Sequence, residues 1–491
     1  MRREALTVTA ASSIALLTLI GIWSSDICVA ADTEAAAQPN IILIMTDDQG
    51  YGDLGVHGNA VVRTPRIDAF AAESASMSQF YVSPVCSPTR AALMTGRYPY
   101  RTRVVDTFKG RSMMDSDEIT IAETLQSVGY ATGLFGKWHL GDNYPLRPME
   151  QGFDEVWMHR GGGLAQPSEP LANRRRYTDP ILFHNGKEVQ TQGFCTDVYF
   201  DRAIDFINAS VDAKRPFFSY IATNAPHGPF HDVPTDKLHY YQQQDLSAVG
   251  ATTEKHRDTV ARVFAMVENI DDNVGRLLDH LDSRDLNDST IVIFMVDNGP
   301  NTARYVGPFR KNKGHVHEGG IRSPFFFRWP QKVKAGTASN ILSGHIDVFP
   351  TLVAAAGATL PNDRTIDGRD LMPALTGQQS QWPDDRAMVL QVHRGNRPIA
   401  GHHFGIRTKQ WKLVHPTGFQ NEVPDQVTPM ELYRADIDPG ESDDLSEQYP
   451  DVVRDLRGQY QNWFDDVSTT RPDNFAPPRI IIGNAAEPTT V

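Results

Sequence analysis

The sequence predicts an α/β fold: a large, mostly parallel central sheet with helices on both faces, followed by a small α+β subdomain with a short antiparallel sheet. Three observations predict it. Asn40 to Met45 (NIILIM) and Ile291 to Val296 (IVIFMV) are near-continuous apolar runs, as in strands covered on both faces. Such runs alternate with segments of helical apolar spacing up to about residue 380, the pattern of strand–helix–strand units. From Met388 onward short strands follow one another directly. With 491 residues, two packed units are expected, one over residues 38–380 and one over 385–469. Hydrophobic content of 40% against 22% charged residues marks a globular chain, not a disordered one.

The chain begins with Arg2 and Arg3, an apolar run from Ala10 to Trp23, and small residues around Val29-Ala30-Ala31. That order reads as a signal peptide over residues 1–30, cut near Ala30 or Ala31. The run is shorter than the ~20 apolar residues of a membrane span; an uncleaved anchor is the alternative. Export follows, with no membrane contact after cleavage, and a chain without a disulfide framework fits a bacterial periplasm or the exterior. The net charge of −13 argues against a nucleic-acid partner. It also means that an anionic substrate must be drawn by a local positive site.

Thr64-Pro65 starts a helix to about Ser74, and Phe80 to Val82 is a short strand. Next comes Pro84 to Gly96, with Ser87 as expected N-cap and Pro88 as the first helical residue. Arg90 then lies one turn from Cys86 on the same face. Ile119 to Val128 has helical spacing and ends at Gly129; Tyr130 to Phe135 is strand-like. Residues 143–190 show little periodicity and read as a long loop over the site. His159-Arg160-Gly161-Gly162-Gly163 and Arg174-Arg175-Arg176 within it are candidates for substrate contact, the arginines equally for a solvated loop.

Thr196 to Asn208 and Val260 to Leu281 are amphipathic helices, and Pro216 to Ile221 is a strand. Ser323 to Arg328 is another strand, and His345 to Ala356 a helix. Strands at Met388 to Val392, Trp411 to Val414 and Glu431 to Tyr433, with a helix from Pro450 to Val467, form the second unit. Residues 470–491 are a Pro-rich tail, wrapped on the surface or disordered.

The chemistry collects at strand ends, where open α/β sheets bind ligands. Asp47-Asp48 follows the first strand and Asp297-Asn298 the strand Ile291 to Val296; four oxygen ligands suit Ca²⁺ or Mg²⁺, not zinc. Lys137 and His139 follow a third strand and His227 a fourth; Arg90 and Lys313 can reach the same edge. Such a set binds a tetrahedral anion and stabilises charge as an ester bond breaks. Position 86 is the candidate nucleophile at its centre. Of three cysteines, Cys28 falls in the signal; the spacing of Cys86 and Cys195 permits a bridge, or position 86 is not a thiol in the mature protein.

Cys86-Ser87-Pro88-Thr89-Arg90 with Leu93-Met94-Thr95-Gly96 resembles the type I sulfatase signature over its full length. Gly129-Tyr130 through Gly136-Lys137-Trp138-His139 resembles the second signature of that family, with Phe135 where a smaller aliphatic residue is more usual. The two acidic strand ends and the loop from Lys313-Gly314 to Glu318-Gly319-Gly320 stand in the right order, so the resemblance runs from about Pro39 to the C-terminal helix. It implies an alkaline phosphatase-like fold and a sulfuric ester hydrolase, arylsulfatase-like, acting on a sulfated small molecule or carbohydrate. Cys86 would be oxidised to formylglycine (3-oxoalanine) by a formylglycine-generating or sulfatase-maturating enzyme. One hydroxyl of its hydrate would attack sulfur; the other would collapse to release sulfate.

By matching positions, Asp47, Asp48, Asp297, Asn298 and the residue-86 oxygen would hold one Ca²⁺, or Mg²⁺, per subunit. Arg90 and Lys137 would hold the hydrate, with His139 assisting elimination. His227 and Lys313, with Lys137, would contact the sulfate, and the first two would protonate the leaving group. Cys195 would be a packed core thiol. Pocket walls are expected from residues 143–190, His231, Asp232, Arg304, His315 and the second unit. The competing readings are a phosphonate monoester or phosphodiester hydrolase of the same superfamily and a non-catalytic binder of sulfated glycans.

Overall fold

The computed structural model describes residues 38–471 apart from 108–109, 165, 167, 384, 396 and 424–426, together with the backbone of Ile481–Ile482 and Thr489–Thr490, which pair antiparallel. The signal-peptide reading of residues 1–30 and the reading of most of the tail lie outside the described residues.

In chain order the first half comprises β1 (Asn40–Thr46), α1 (Pro65–Ala72), β2 (Ala75–Met77), β3 (Phe80–Tyr81), α2 (Cys86–Thr95), α3 (Ile121–Gln126), β4 (Ala131–Lys137), β5 (Glu155–His159), β6 (Ile181–His184) and β7 (Lys187–Gln190). It continues through α4 (Cys195–Asp212), β8 (Phe217–Ala222), α5 (Thr235–Gln242), α6 (Glu254–Ser283), β9 (Thr290–Val296), α7 (Glu318–Ile321), β10 (Phe325–Arg328), β11 (Ala338–Ser339), β12 (Ser343–Gly344) and α8 (Val348–Ala355). Ten strands make one sheet in the order β11-β2-β10-β9-β1-β8-β4-β5-β6-β7. The run β9-β1-β8-β4-β5 is parallel, and β10 and β6 flank it antiparallel. The expected mostly parallel sheet is thus present, with antiparallel margins.

Alternate residues of β1 explain why both faces must be covered. Ile41, Leu43 and Met45 pack with Leu93 of α2, Leu125 of α3 and Val353 of α8. Ile42 and Ile44 pack on the opposite face with Ile67 of α1, Val198 of α4 and Phe264 of α6. A strand buried on both faces has no polar side to show, which is why its sequence reads as one apolar run. Helices α1 and α6 are joined end to side: the Asp271 carboxylate accepts from the backbone N–H groups of Arg66 and Ile67, at 3.2 and 2.7 Å, at the start of α1.

Three expectations need correction. Helix α2 begins at Cys86 itself, with extended Val85 as N-cap, not at Pro88. Ser87 does not cap; its hydroxyl donates to the His139 carbonyl at 3.0 Å. Pro88 fits because N–H groups of the first turn have no intrahelical acceptor to lose. Residues 143–190 are not simply a loop: they supply β5, β6 and β7 to the main sheet. These strands are four or five residues long and only partly buried, so they carry no apolar run. Helix α5 and the strand β14 described below are further elements without a clear apolar run.

After α9 (Met372–Leu375), four antiparallel strands form a separate sheet: β13 (Met388–Gln391), β14 (Phe404–Arg407), β15 (Trp411–His415) and β16 (Glu431–Arg434). Helix α10 (Pro450–Ser468) packs on it through Leu456, Tyr460, Phe464 and Val467, with Tyr460 stacked on Phe404 at 3.7 Å between ring centroids. A buried ion network ties this sheet to α7. Lys412 of β15 donates to Glu318 at 2.9 Å and to Glu441 at 2.6 Å, and Arg322 reaches the same Glu318 carboxylate at 2.5 Å. Burial would raise the Glu318 carboxyl, but Arg322 and Lys412 outweigh it and hold it well below the usual range.

Removing one member of such a network strands the others in a dry environment. Lys412→Ala is therefore expected to cost about 3–5 kcal/mol of stability. Urea unfolding tests this, and a loss near zero would show that Arg322 alone satisfies Glu318.

Candidate active site

The parallel register of β1 and β9 pairs Thr46 with Val296, so the residues after each strand emerge side by side. Asp297 N–H donates to the Thr46 carbonyl at 3.1 Å, and Asp48 N–H to Asp297 Oδ1 at 3.2 Å. Asp48 turns there with φ +62°, a left-handed conformation that Asp tolerates better than most residues. The first turn of α2 is tied to the same edge by Thr89, whose hydroxyl donates to the Asp297 carbonyl at 2.7 Å. Cys86 thereby faces both acidic strand ends: donor atoms of Asp47, Cys86 and Asp297 lie within 4.8 Å of one another.

Each carboxylate meets a different cation. Lys137, the last residue of β4, donates to Asp47 Oδ2 at 2.5 Å. Arg90 donates to Asp297 Oδ2 and to the Lys137 carbonyl, both at 2.8 Å. Lys313 pairs with Asp48 Oδ1, and its Nζ is 3.8 Å from Cys86 Sγ. Asn298 Nδ2 also donates to Asp48 Oδ1, at 2.8 Å. His227 Nε2 lies 3.6 Å from Asp48 Oδ2, while its Nδ1 bonds the Gly228 carbonyl at 2.7 Å. The structure thus brings together all ten residues read as site residues.

Three buried oxygens in this corner have no hydrogen-bond partner: Asp47 Oδ1, Asp48 Oδ2 and Asn298 Oδ1. Unpaired buried oxygens are costly unless something positive meets them. Their hard-oxygen chemistry fits Ca²⁺ or Mg²⁺. Burial, then Asp47, pushes the Asp297 carboxyl up to about 6 despite Arg90. Burial opposes ionisation of Asp48 as well, yet Lys313, His227 and Lys137 hold it well below its ordinary value. Burial, then Lys137 and Arg90, drives His139 far below the usual imidazole range. Burial lowers His227 to about 4, with Asp48 opposing and Lys313 assisting. Both imidazoles are neutral at pH 7. The Cys86 thiol is raised, chiefly by burial, so an unmodified side chain there is a weak nucleophile. Cys195 is unbridged and buried, its Sγ 3.7 Å from Asn224 Oδ1.

Two neighbours differ from what their sequence suggests. His159 is the last residue of β5, in register with Lys137, and fully buried. Its Nδ1 meets the Tyr199 hydroxyl at 3.2 Å, and its Nε2 has no partner. It belongs to the site's inner wall, a placement that follows only once β5 is recognised as a strand. Arg304 is no pocket wall. It is buried, grips Asp53 at 2.6–3.0 Å and donates to the Asp48 carbonyl at 3.0 Å, so it braces the acidic turn.

The glycines after His159 close the site. A Cβ on Gly162 would lie 2.1 Å from two ring atoms of His139, and one on Gly163 would lie 2.7 Å from the His227 ring. Asp142 accepts from Gly161 N–H at 3.0 Å and from the Ser168 hydroxyl at 2.7 Å, which holds this cover in place.

Cations gathered around unpaired acidic oxygens, at the carboxyl edge of an open α/β sheet, define a hydrolase of anionic esters. Comparison with known proteins narrows the class. A profile of the sulfatase family matches residues 39–358, and one for the C-terminal part of N-sulphoglucosamine sulphohydrolase matches residues 309–464. The chain belongs to the sulfatase family. It is 33% identical to the N-acetylgalactosamine-6-sulfatase of Canis lupus familiaris, over 86% of this chain and 84% of that one. It is likewise 33% identical to human arylsulfatase A, covering 75% of this chain and 76% of the relative. A crystal structure of Ps i-CgsB in complex with k-i-k-neocarrahexaose superimposes with a TM-score of 0.76 at 30% identity, covering 90% of this chain and 95% of that one.

Gly162→Ala should lower kcat/KM by about 10²-fold through displacement of His139, the order expected when a catalytic group is moved by about 1 Å. Thermal unfolding should move little, since Gly162 lies in the loop over the site and outside every helix and strand. Steady-state kinetics with an aryl sulfate and a melting curve check both; unchanged kinetics would show that the cover yields instead.

Proposed function

We propose that this chain removes sulfate from a sulfated carbohydrate through a formylglycine made from Cys86, with a Ca²⁺ ion held by Asp47, Asp48, Asp297, Asn298 and the residue-86 oxygen. One observation carries the reading: the residue at the head of α2 is buried against acidic oxygens that lack partners, with Lys313 beside it. When bound, the cation would supply Lewis-acid polarisation of the sulfate and favour the ionised form of a residue-86 hydroxyl. The hydrated aldehyde would provide the oxygen that attacks sulfur, a role for which the raised thiol of unmodified Cys86 is poorly suited.

The chain's own groups fit the remaining tasks. Arg90 and Lys137 bring fixed positive charge to the hydrate and the sulfate oxygens. Lys313, raised because Asp48, residue 86, Asp47 and Asp297 together outweigh its burial, keeps its proton and offers it toward the departing alcohol, while His227, its Nδ1 on the Gly228 carbonyl, turns Nε2 toward the site. His139 is neutral, and its Nδ1 has no partner, so it can accept the proton whose removal releases sulfate. The names of the relatives, which include an N-acetylgalactosamine-6-sulfatase and a protein in complex with k-i-k-neocarrahexaose, support a carbohydrate substrate. Maturation by a formylglycine-generating or sulfatase-maturating enzyme, the division into catalytic residues 38–380 and a C-terminal unit 385–469, and export to the periplasm or beyond belong to the same proposal.

Cys86→Ala should reduce sulfate release by at least about 10³-fold with an unchanged melting temperature. A mass spectrum of the tryptic peptide containing residue 86, from protein made in its native host, should carry the aldehyde. A peptide entirely in the thiol form would sink the formylglycine reading. Chelation with EGTA and EDTA should abolish turnover, with Ca²⁺ restoring more activity than Mg²⁺; activity that survives exhaustive chelation would remove the cation from the mechanism.

A further inference from the structure

The loop that covers the site carries charge that the active centre does not use. Arg174, Arg175 and Arg176 are all exposed, and none of their side chains has an ion pair or hydrogen bond with a described residue. Several other surface arginines are paired. Arg202 pairs with Asp205 at 2.8 Å, Arg276 with Asp201 at 2.6 Å and Arg284 with Asp212 at 3.2 Å. In a chain of net charge −13, three adjacent unpaired guanidinium groups are a local exception.

Their position gives the exception meaning. The loop leaves the site at Gly163, packed on the His227 ring, and returns at Tyr177, whose hydroxyl donates to the His227 carbonyl at 2.5 Å and the Asn224 carbonyl at 3.0 Å. Both ends are therefore fixed to one histidine of the site, and the arginines stand at the returning end, next to Tyr177. Backbone φ angles of +48° and +63° at Arg174 and Arg175 turn this stretch sharply without any partner for the side chains. A guanidinium fork matches a tetrahedral oxyanion with two parallel hydrogen bonds. A repelling overall field makes such a local positive group the means of capturing a polyanion.

We propose that Arg174, Arg175 and Arg176 bind further sulfate groups of an extended glycan whose reacting sulfate lies beside residue 86. The substrate class would then be a multiply sulfated oligosaccharide, not a monosulfated sugar. This rests on the sulfatase reading above for the reacting group, but the surface can be tested without turnover.

The test uses the full-length Cys86→Ala protein and a short dextran sulfate as probe, titrated by calorimetry at two salt concentrations. R174Q/R175Q/R176Q in that background should weaken binding about tenfold and flatten its salt dependence. Arg175→Glu alone should show the same direction, while R202Q/R276Q, on the surface of α4 and α6, should bind as the parent does. Equal affinity of the parent and the triple variant would overturn the proposal, as would an equal loss in R202Q/R276Q. The two readings fail separately: loss of binding in the triple variant supports the arginine surface even if the Cys86-containing protein releases no sulfate. Intact aryl sulfate hydrolysis with undiminished dextran sulfate binding would remove the surface alone.

Discussion

Three carboxylates, Asp47, Asp48 and Asp297, occupy one buried corner, and like charges taken out of water repel strongly. The fold answers with one cation for each, every one from a different element. Lys137 comes from the end of β4, Lys313 from the loop before α7, and Arg90 from α2. The compensation is incomplete, because Asp47 and Asp48 each keep one oxygen without a partner and Asp297 remains a weak acid. That remainder makes the corner a place for a cation and an anion together, not simply a satisfied core.

The position of Lys313 depends on parts of the chain far from it in sequence. Gly314 N–H donates to the Pro84 carbonyl at 2.8 Å, two residues before Cys86. The Gly314 carbonyl accepts from His403 Nε2 at 2.7 Å, and His403 Nδ1 accepts from Gly418 N–H at 2.9 Å, which fixes the tautomer. A few residues on, Glu318 is gripped by Arg322 and Lys412. The small antiparallel sheet therefore acts as a splint for the loop that brings Lys313 to Asp48. Arg304 does the same for Asp48 from the other side, through Asp53.

Much of this was legible in the sequence because doubly covered strands must be apolar throughout, so the first acidic or basic residue after each run marks the sheet edge. Asp47, Asp297 and His227 could be placed by that signal alone. The sulfatase resemblance was legible for a different reason: its signatures are runs of specific residues around Cys86 and Lys137. What escaped was structure without an apolar run. Strand β5 is only partly buried and sits among Pro, Gly and Arg, so His159 reads as a loop residue in the sequence although its register sets it beside Lys137. Strand β14 includes Gly405, and Ser87-Pro88 imitates a cap, which places the apparent start of α2 past Cys86. In that turn the hydroxyl of Ser87 is spent on His139 instead.

Every one of the ten residues of α2 is buried, Cys86 included at 2% exposure. That has a bearing on the order of events in the cell. Another protein that alters residue 86 must hold the surrounding peptide in its own cleft, and a finished domain offers no such peptide. If residue 86 is altered in the way proposed above, the alteration would precede closure of the sheet around α2, while the segment is still an extended chain. The interval between synthesis and folding would then limit the active fraction, and a slower-folding variant would be modified more completely without any change at the site itself.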